Sequence, residues 1–67
     1  MTRKLKVLRA MKEVKQEEVA EMLGITLTTY SKKENGKSDF TISEAKKLAT
    51  FFDCTIEEIF FDEKVNF

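Results

Sequence analysis

An all-α fold of five short helices is what this sequence predicts, and three observations carry the prediction. Apolar residues recur at helical spacing along the whole chain. There is no Pro, and only Gly24 and Gly36 punctuate the 67 residues. Two segments open with the same capping device, in which a hydroxyl precedes a carboxylate by three residues: Thr41 with Glu44, and Thr55 with Glu58. The chain carries no internal repeat, low-complexity stretch or linker, so the expectation is a single domain over residues 1–67.

Residues 3–12 read as the first helix, with Leu5, Leu8 and Met11 as a narrow apolar stripe among Lys and Arg. Glu13-Val14-Lys15 is a short connection with Val14 turned inward. Residues 16–23 form the second helix. Val19, Ala20 and Leu23 share a face, and Glu17 and Glu18 lie in the first turn, where the helix dipole favours negative charge. Gly24 ends it, as a residue free to take the left-handed conformation. After Ile25, Thr26 can cap a third helix over about 27–34. That helix, Leu-Thr-Thr-Tyr-Ser-Lys-Lys-Glu, is mostly polar, with Tyr30 as its main anchor. A helix that buries so little is either marginal or facing a polar partner. Asn35-Gly36 closes it in a turn, and residues 37–40 are a loop. The fourth helix runs from the cap at Thr41 to about residue 52, with Ile42, Ala45, Leu48, Ala49 and Phe52 at core spacing. The fifth follows Thr55 and buries Ile56, Ile59 and Phe60. The tail, residues 61–67, sets Phe61, Val65 and Phe67 on a charged segment.

Composition excludes several classes of function. One Cys permits no intramolecular disulfide, and a single Cys without His builds no zinc finger. No stretch sets carboxylates and a Gly at the offsets of a calcium loop. The commonest general base, His, is missing, and no nucleophile–base pair can be named, so no catalysis, metal or cofactor is expected. No apolar run approaches the roughly 20 residues of a membrane span. The basic N-terminus lacks the continuous apolar segment of a signal peptide. The expectation is a reduced, cytoplasmic protein, with Cys54 as a small core residue. A core this small supplies no more than roughly 3–5 kcal/mol.

Net charge is zero, but its distribution is uneven. Residues 1–37 carry nine basic side chains against five acidic, and residues 38–67 three against seven. The asymmetry fits a basic working face with an acidic far side, and it equally fits chance placement of solvated charges. The pair of helices at residues 16–34 is more informative. Two eight-residue helices are joined by a short turn beginning at Gly24, with the small Ala20 where the second must cross close to the first. A helix-turn-helix needs this arrangement, and an ordinary helical hairpin satisfies it as well.

The segment from Gln16-Glu17-Glu18-Val19-Ala20-Glu21-Met22-Leu23-Gly24-Ile25-Thr26 to Tyr30-Ser31-Lys32-Lys33-Glu34-Asn35-Gly36-Lys37 resembles the Xre/Cro-type helix-turn-helix of phage repressors. The likeness extends upstream to Leu5-Lys6 and Leu8-Arg9. Downstream it reaches Ala45-Lys46-Lys47-Leu48-Ala49 and Thr55 to Phe60, so that it covers about residues 3–60. It implies a five-helix, lambda-repressor-like domain with its motif at about 16–35, acting on double-stranded DNA.

The resemblance also implies roles. Leu27, Thr28 and Lys32 match positions that face base edges, and Gln16, Thr29, Asn35 and Lys37 match positions that hold phosphates. Gln16 is further expected to brace the recognition helix, and Arg9 to pair with Glu34. Three residues depart from the family pattern. Lys15 stands where Ser or Thr usually caps, which forfeits a cap worth about 1 kcal/mol. Lys33 replaces an apolar residue, its stem packing while its ammonium reaches out. Leu27 replaces a polar base reader, fit either for a thymine methyl or for covering the core. The expected function is a transcriptional regulator, foremost a repressor on a palindromic operator. It would act as a homodimer through Phe60, Phe61, Val65 and Phe67, with no separate ligand or cleavage domain. Regulation would then come from concentration, competition or a partner protein. A small activator, an antitoxin, or an interaction module without DNA binding are the alternatives.

Overall fold

The structure, a computed structural model, describes residues 3–60. Five helices follow one another: α1 (Arg3–Lys12), α2 (Gln16–Leu23), α3 (Leu27–Glu34), α4 (Ile42–Phe52) and α5 (Ile56–Phe60). There is no strand among the described residues. α2 packs against α3 and α4, α1 lies against α3 and α5, and α4 against α5. The core they enclose is Leu5, Val19, Ala20, Leu23, Tyr30, Leu48, Phe52 and Ile59, with Leu8, Val14, Ile25 and Cys54 among the half-buried residues around it. Among the described residues no helix is long and apolar enough to cross a membrane.

Two residues expected at core positions face solvent. Met11 is 73% exposed. Steps of three residues drift round a helix of 3.6 per turn, so Met11 lies well away from Leu5, and Arg9 takes the inward place beside Leu5 and Leu8. Ile42 is 75% exposed because it is the first residue of α4, ahead of the turn where Ala45 and Leu48 meet the core.

Local chemistry sets the helix ends. Thr41 N–H donates to Glu44 Oε1 at 2.9 Å while Glu44 N–H donates to Thr41 Oγ1 at 3.0 Å. Thr55 and Glu58 repeat this at 2.8 and 3.0 Å. At α2 only half of the device exists. Lys15 N–H donates to Glu18 Oε1 at 2.7 Å, but the Lys15 side chain makes no cap bond. Lys15→Ser is therefore expected to raise stability by about 1 kcal/mol, read as a higher midpoint of thermal unfolding.

α1, α2, α3 and α4 all end in one arrangement. A left-handed residue follows the helix: Glu13 (φ 57), Gly24 (φ 78), Gly36 (φ 82) and Asp53 (φ 56). The next N–H reaches back to the carbonyl five residues earlier: Val14 to Arg9, Ile25 to Ala20, Lys37 to Lys32 and Cys54 to Ala49, at 2.8–3.0 Å. This satisfies carbonyls that a helix end otherwise leaves unpaired. Val14, Ile25 and Cys54 then pack against the core. Lys37 is exposed.

Candidate nucleic-acid interface

The polar third helix has a buried side and a free side. Tyr30 and Glu34, four residues apart, both face inward and are buried. Thr28 and Lys32, also four apart, lie on the opposite side and are exposed. Leu27, at the first turn, is 42% exposed at the edge of this face. An exposed helix face with one hydroxyl, one ammonium and one branched apolar group has the size and chemistry to enter a major groove.

Donors cluster at the ends of the two motif helices. Thr26 Oγ1 accepts from Thr29 N–H at 3.1 Å and donates to Thr29 Oγ1 at 2.9 Å, which directs the Thr29 hydroxyl proton elsewhere. Asn35 Nδ2 donates to the Ser31 carbonyl at 2.9 Å. Asn35 thus finishes the helix through its amide, which also donates to the Ser31 hydroxyl at 3.4 Å. Lys37 follows on the same turn, and Gln16 opens α2.

Beneath this surface sits a carboxylate. Glu34 is 2% exposed, and its oxygens accept from three helices. Arg9 Nε donates to Oε2 at 2.8 Å and Arg9 Nη2 to Oε1 at 3.1 Å, a bidentate pair. Gln16 Nε2 donates to Oε1 at 2.6 Å and Tyr30 Oη to Oε2 at 2.9 Å. Arg9 Nη1 also donates to the Val14 carbonyl at 3.3 Å, tying the pair to the end of α1. Burial by itself raises the pKa of Glu34, but the bonds from Arg9, Gln16 and Tyr30 outweigh it and hold the carboxyl below its ordinary range. Burial, with the adjacent carboxylate, pushes the Tyr30 phenol well above its ordinary value. The network fixes the Gln16 side chain against the end of α3, so that the residues at the two helix ends are held in one frame.

The ammonium of Lys33 does not reach outward. It donates to Glu44 Oε1 at 2.7 Å, with both side chains 12% exposed, and stands 5.9 Å from the centre of the Phe40 ring. The carboxylate that caps α4 therefore also grips α3, and an ion pair fills the place of an apolar contact. Phe40, read from sequence only as the end of a loop, is an aromatic hub. Its ring lies 6.0 Å from Tyr30 and 5.6 Å from Phe60. A lone Phe in a polar loop was the available signal. Phe60 is thus half-buried against its own core, while Phe61, Val65 and Phe67 lie outside the described residues.

The family model described as helix-turn-helix matches residues 5–59. An uncharacterised HTH-type transcriptional regulator of Methanocaldococcus jannaschii is 41% identical over 63 residues, covering 94% of this chain and 96% of the relative. The HTH-type transcriptional activator BcrR of Enterococcus faecalis is 37% identical over 92% of this chain and 30% of its own length. The cryptic phage CTXphi transcriptional repressor RstR of Vibrio cholerae is 33% identical over 94% of this chain and 57% of its own. The chain thus spans nearly the whole of the first relative and smaller parts of the other two.

Proposed function

The chain belongs to the helix-turn-helix family of DNA-binding, non-enzymatic transcriptional regulators, of the Xre/Cro type, and from that premise we propose that it is a cytoplasmic repressor that binds a palindromic operator as a homodimer. The observation that carries the reading is the split of α3 into a buried side, Tyr30 and Glu34, and a free side, Thr28 and Lys32, with Leu27 at its edge. Leu27, Thr28 and Lys32 read base edges. Gln16, Thr29, Asn35 and Lys37 bind phosphates, which position the domain and carry no sequence information directly. Two such helices about 34 Å apart enter successive major grooves on one side of the duplex, which is why the operator is palindromic and the regulator dimeric. Selection of bound sites from a random DNA pool tests the reading. Two inverted half-sites about one helical turn apart are the expected result, and a pool that yields no enriched motif overturns it. A relative named as an activator makes activation the second reading. A reporter placed downstream of the selected site, with and without the protein, separates the two by the sign of the change.

Salt adds a second expectation. Each neutralised phosphate contributes about −0.9 to the slope of log K against log salt. Lys33 is held by Glu44, so Lys33→Met is expected to leave the slope unchanged in binding titrations. Lys37→Ala should reduce it by about one per protomer.

A further inference from the structure

Away from the recognition helix, α2 and α4 leave an open groove of about 360 Å³ between them. Met22 and Phe51 line it with apolar surface, and Lys46, Lys47 and Thr50 complete its walls. Met22 and Phe51 are half-buried, while Lys46, Lys47 and Thr50 are exposed. Ala45, Leu48 and Phe52 turn the other side of α4 into the core. The groove thus lies on the outer flank of α4, and it asks for an apolar side chain accompanied by negative charge.

The chain itself contains such a segment. Residues 61–67 read Phe-Asp-Glu-Lys-Val-Asn-Phe: an apolar ring, an adjacent acidic pair, one lysine, and two further apolar residues, with a net negative charge, and Lys46-Lys47 is an adjacent basic pair. Resting on the dimer reading above, we propose that the groove of each protomer receives residues 61–67 of the second copy, with Asp62 and Glu63 against Lys46 and Lys47 and an aromatic ring against Met22 and Phe51. The chain leaves α5 at Phe60, whose ring sits against Phe40 ahead of the start of α4. The dimer reading requires a contact between copies, and that assigns the groove to the tail of the second copy rather than to the tail of its own chain. Seven residues extended reach about 23–25 Å, enough to cross between two small domains. The exchange is reciprocal, as a two-fold pair requires.

Charge exchange tests the proposal in the full chain. Sedimentation equilibrium is measured for the wild type, for Lys46→Glu with Lys47→Glu, for Asp62→Lys with Glu63→Lys, and for all four changes together. Each double variant is expected to weaken dimerisation at least about tenfold, because like charges then face each other across the contact. The fourfold variant is expected to restore it. The four positions are outside the core and outside the DNA-facing set, so helical content should hold, and thermal midpoints should fall only as far as the lost dimerisation requires. Dimerisation unchanged by the exchanges overturns the groove assignment and leaves the dimer reading standing. A wild type that stays monomeric at high concentration overturns both. Exchanges that shift the thermal midpoint, with rescue, while leaving dimerisation alone put the tail in its own groove and overturn the second-copy proposal.

Discussion

Arg9→Ala is expected to remove about 3–5 kcal/mol of folding stability, because it strands the Glu34 carboxylate in the core without its main partner. Glu34→Ala should cost less than Arg9→Ala. The guanidinium it leaves behind retains 19% exposure and can recover water, whereas the Glu34 side chain has no exposed surface. The order of the two losses is therefore set by which charge is left dry. A domain of this size holds only roughly 3–5 kcal/mol in its core, so Arg9→Ala should be largely unfolded at room temperature. Urea and thermal denaturation followed by circular dichroism give the comparison. Losses below about 0.5 kcal/mol, the scale of ordinary surface substitutions, would refute the role assigned to the pair. The pH dependence offers a check that needs no unfolded variant. Glu34 and Glu44 both titrate below the ordinary value of 4.5 in the folded chain, Glu44 because the Lys33 ammonium and the Thr41 N–H outweigh its burial. The unfolded chain takes up these protons first as pH falls. The stabilisation is thus fully present above that ordinary value and is lost as pH drops through the depressed values. Glu34→Gln should flatten this acid-side loss.

Lys32→Ala should weaken binding to the selected operator by about 1–3 kcal/mol and relax preference at one base pair, since a lysine on the groove face can donate to the O6 and N7 acceptors of guanine. Lys37→Ala should weaken all sequences about equally. The two lysines are both exposed, and the Lys37 N–H even bonds to the Lys32 carbonyl at 2.8 Å, yet they sit on different parts of the motif. Lys32 stands beside Thr28 on the outer face of α3, while Lys37 lies beyond the turn at Gly36. Binding of each variant to a set of single-base operator changes distinguishes them. If Lys32→Ala lowers affinity with base preferences intact, Lys32 is a phosphate contact and the base assignment fails.

Helix positions were legible in the sequence because the signals that set them are local. Thr41 with Glu44, Thr55 with Glu58, and Gly24 and Gly36 each act within a few residues, so reading them requires no knowledge of what packs where. Glu13 and Asp53 were not legible as left-handed positions. Neither is a Gly, and although Val14 reads as turned inward, its residue type does not say that a left-handed Glu13 is what brings it there. Met11 and Ile42 are apolar by type and outward by place, and their exposure follows from where each helix begins and what it meets. At the interface, residue types indicated which side chains could touch DNA, but not which were already engaged. Lys33 reads as a free cation until Glu44, eleven residues on, is found 2.7 Å away. Asn35 reads as a phosphate donor, and it is also the residue that finishes its own helix. The burial of Glu34 depends on three helices at once and has no sequence signature beyond its family likeness.

The repeated helix ending bears on how the chain finds its fold. Because α1 through α4 each stop at their own left-handed residue, a helix cannot lengthen into the next connection and offer a competing register. Element lengths are settled by neighbours in the chain before any two helices meet, and the search that remains is the docking of short rods of fixed size. Chains dominated by such local information cross their folding barrier in microseconds to milliseconds. Refolding of the protomer from urea, followed at concentrations below those of dimerisation, is accordingly expected to be a single fast phase, near or within the dead time of stopped-flow mixing. Absence of Pro removes the slow isomerisation that would otherwise add a phase of tens of seconds.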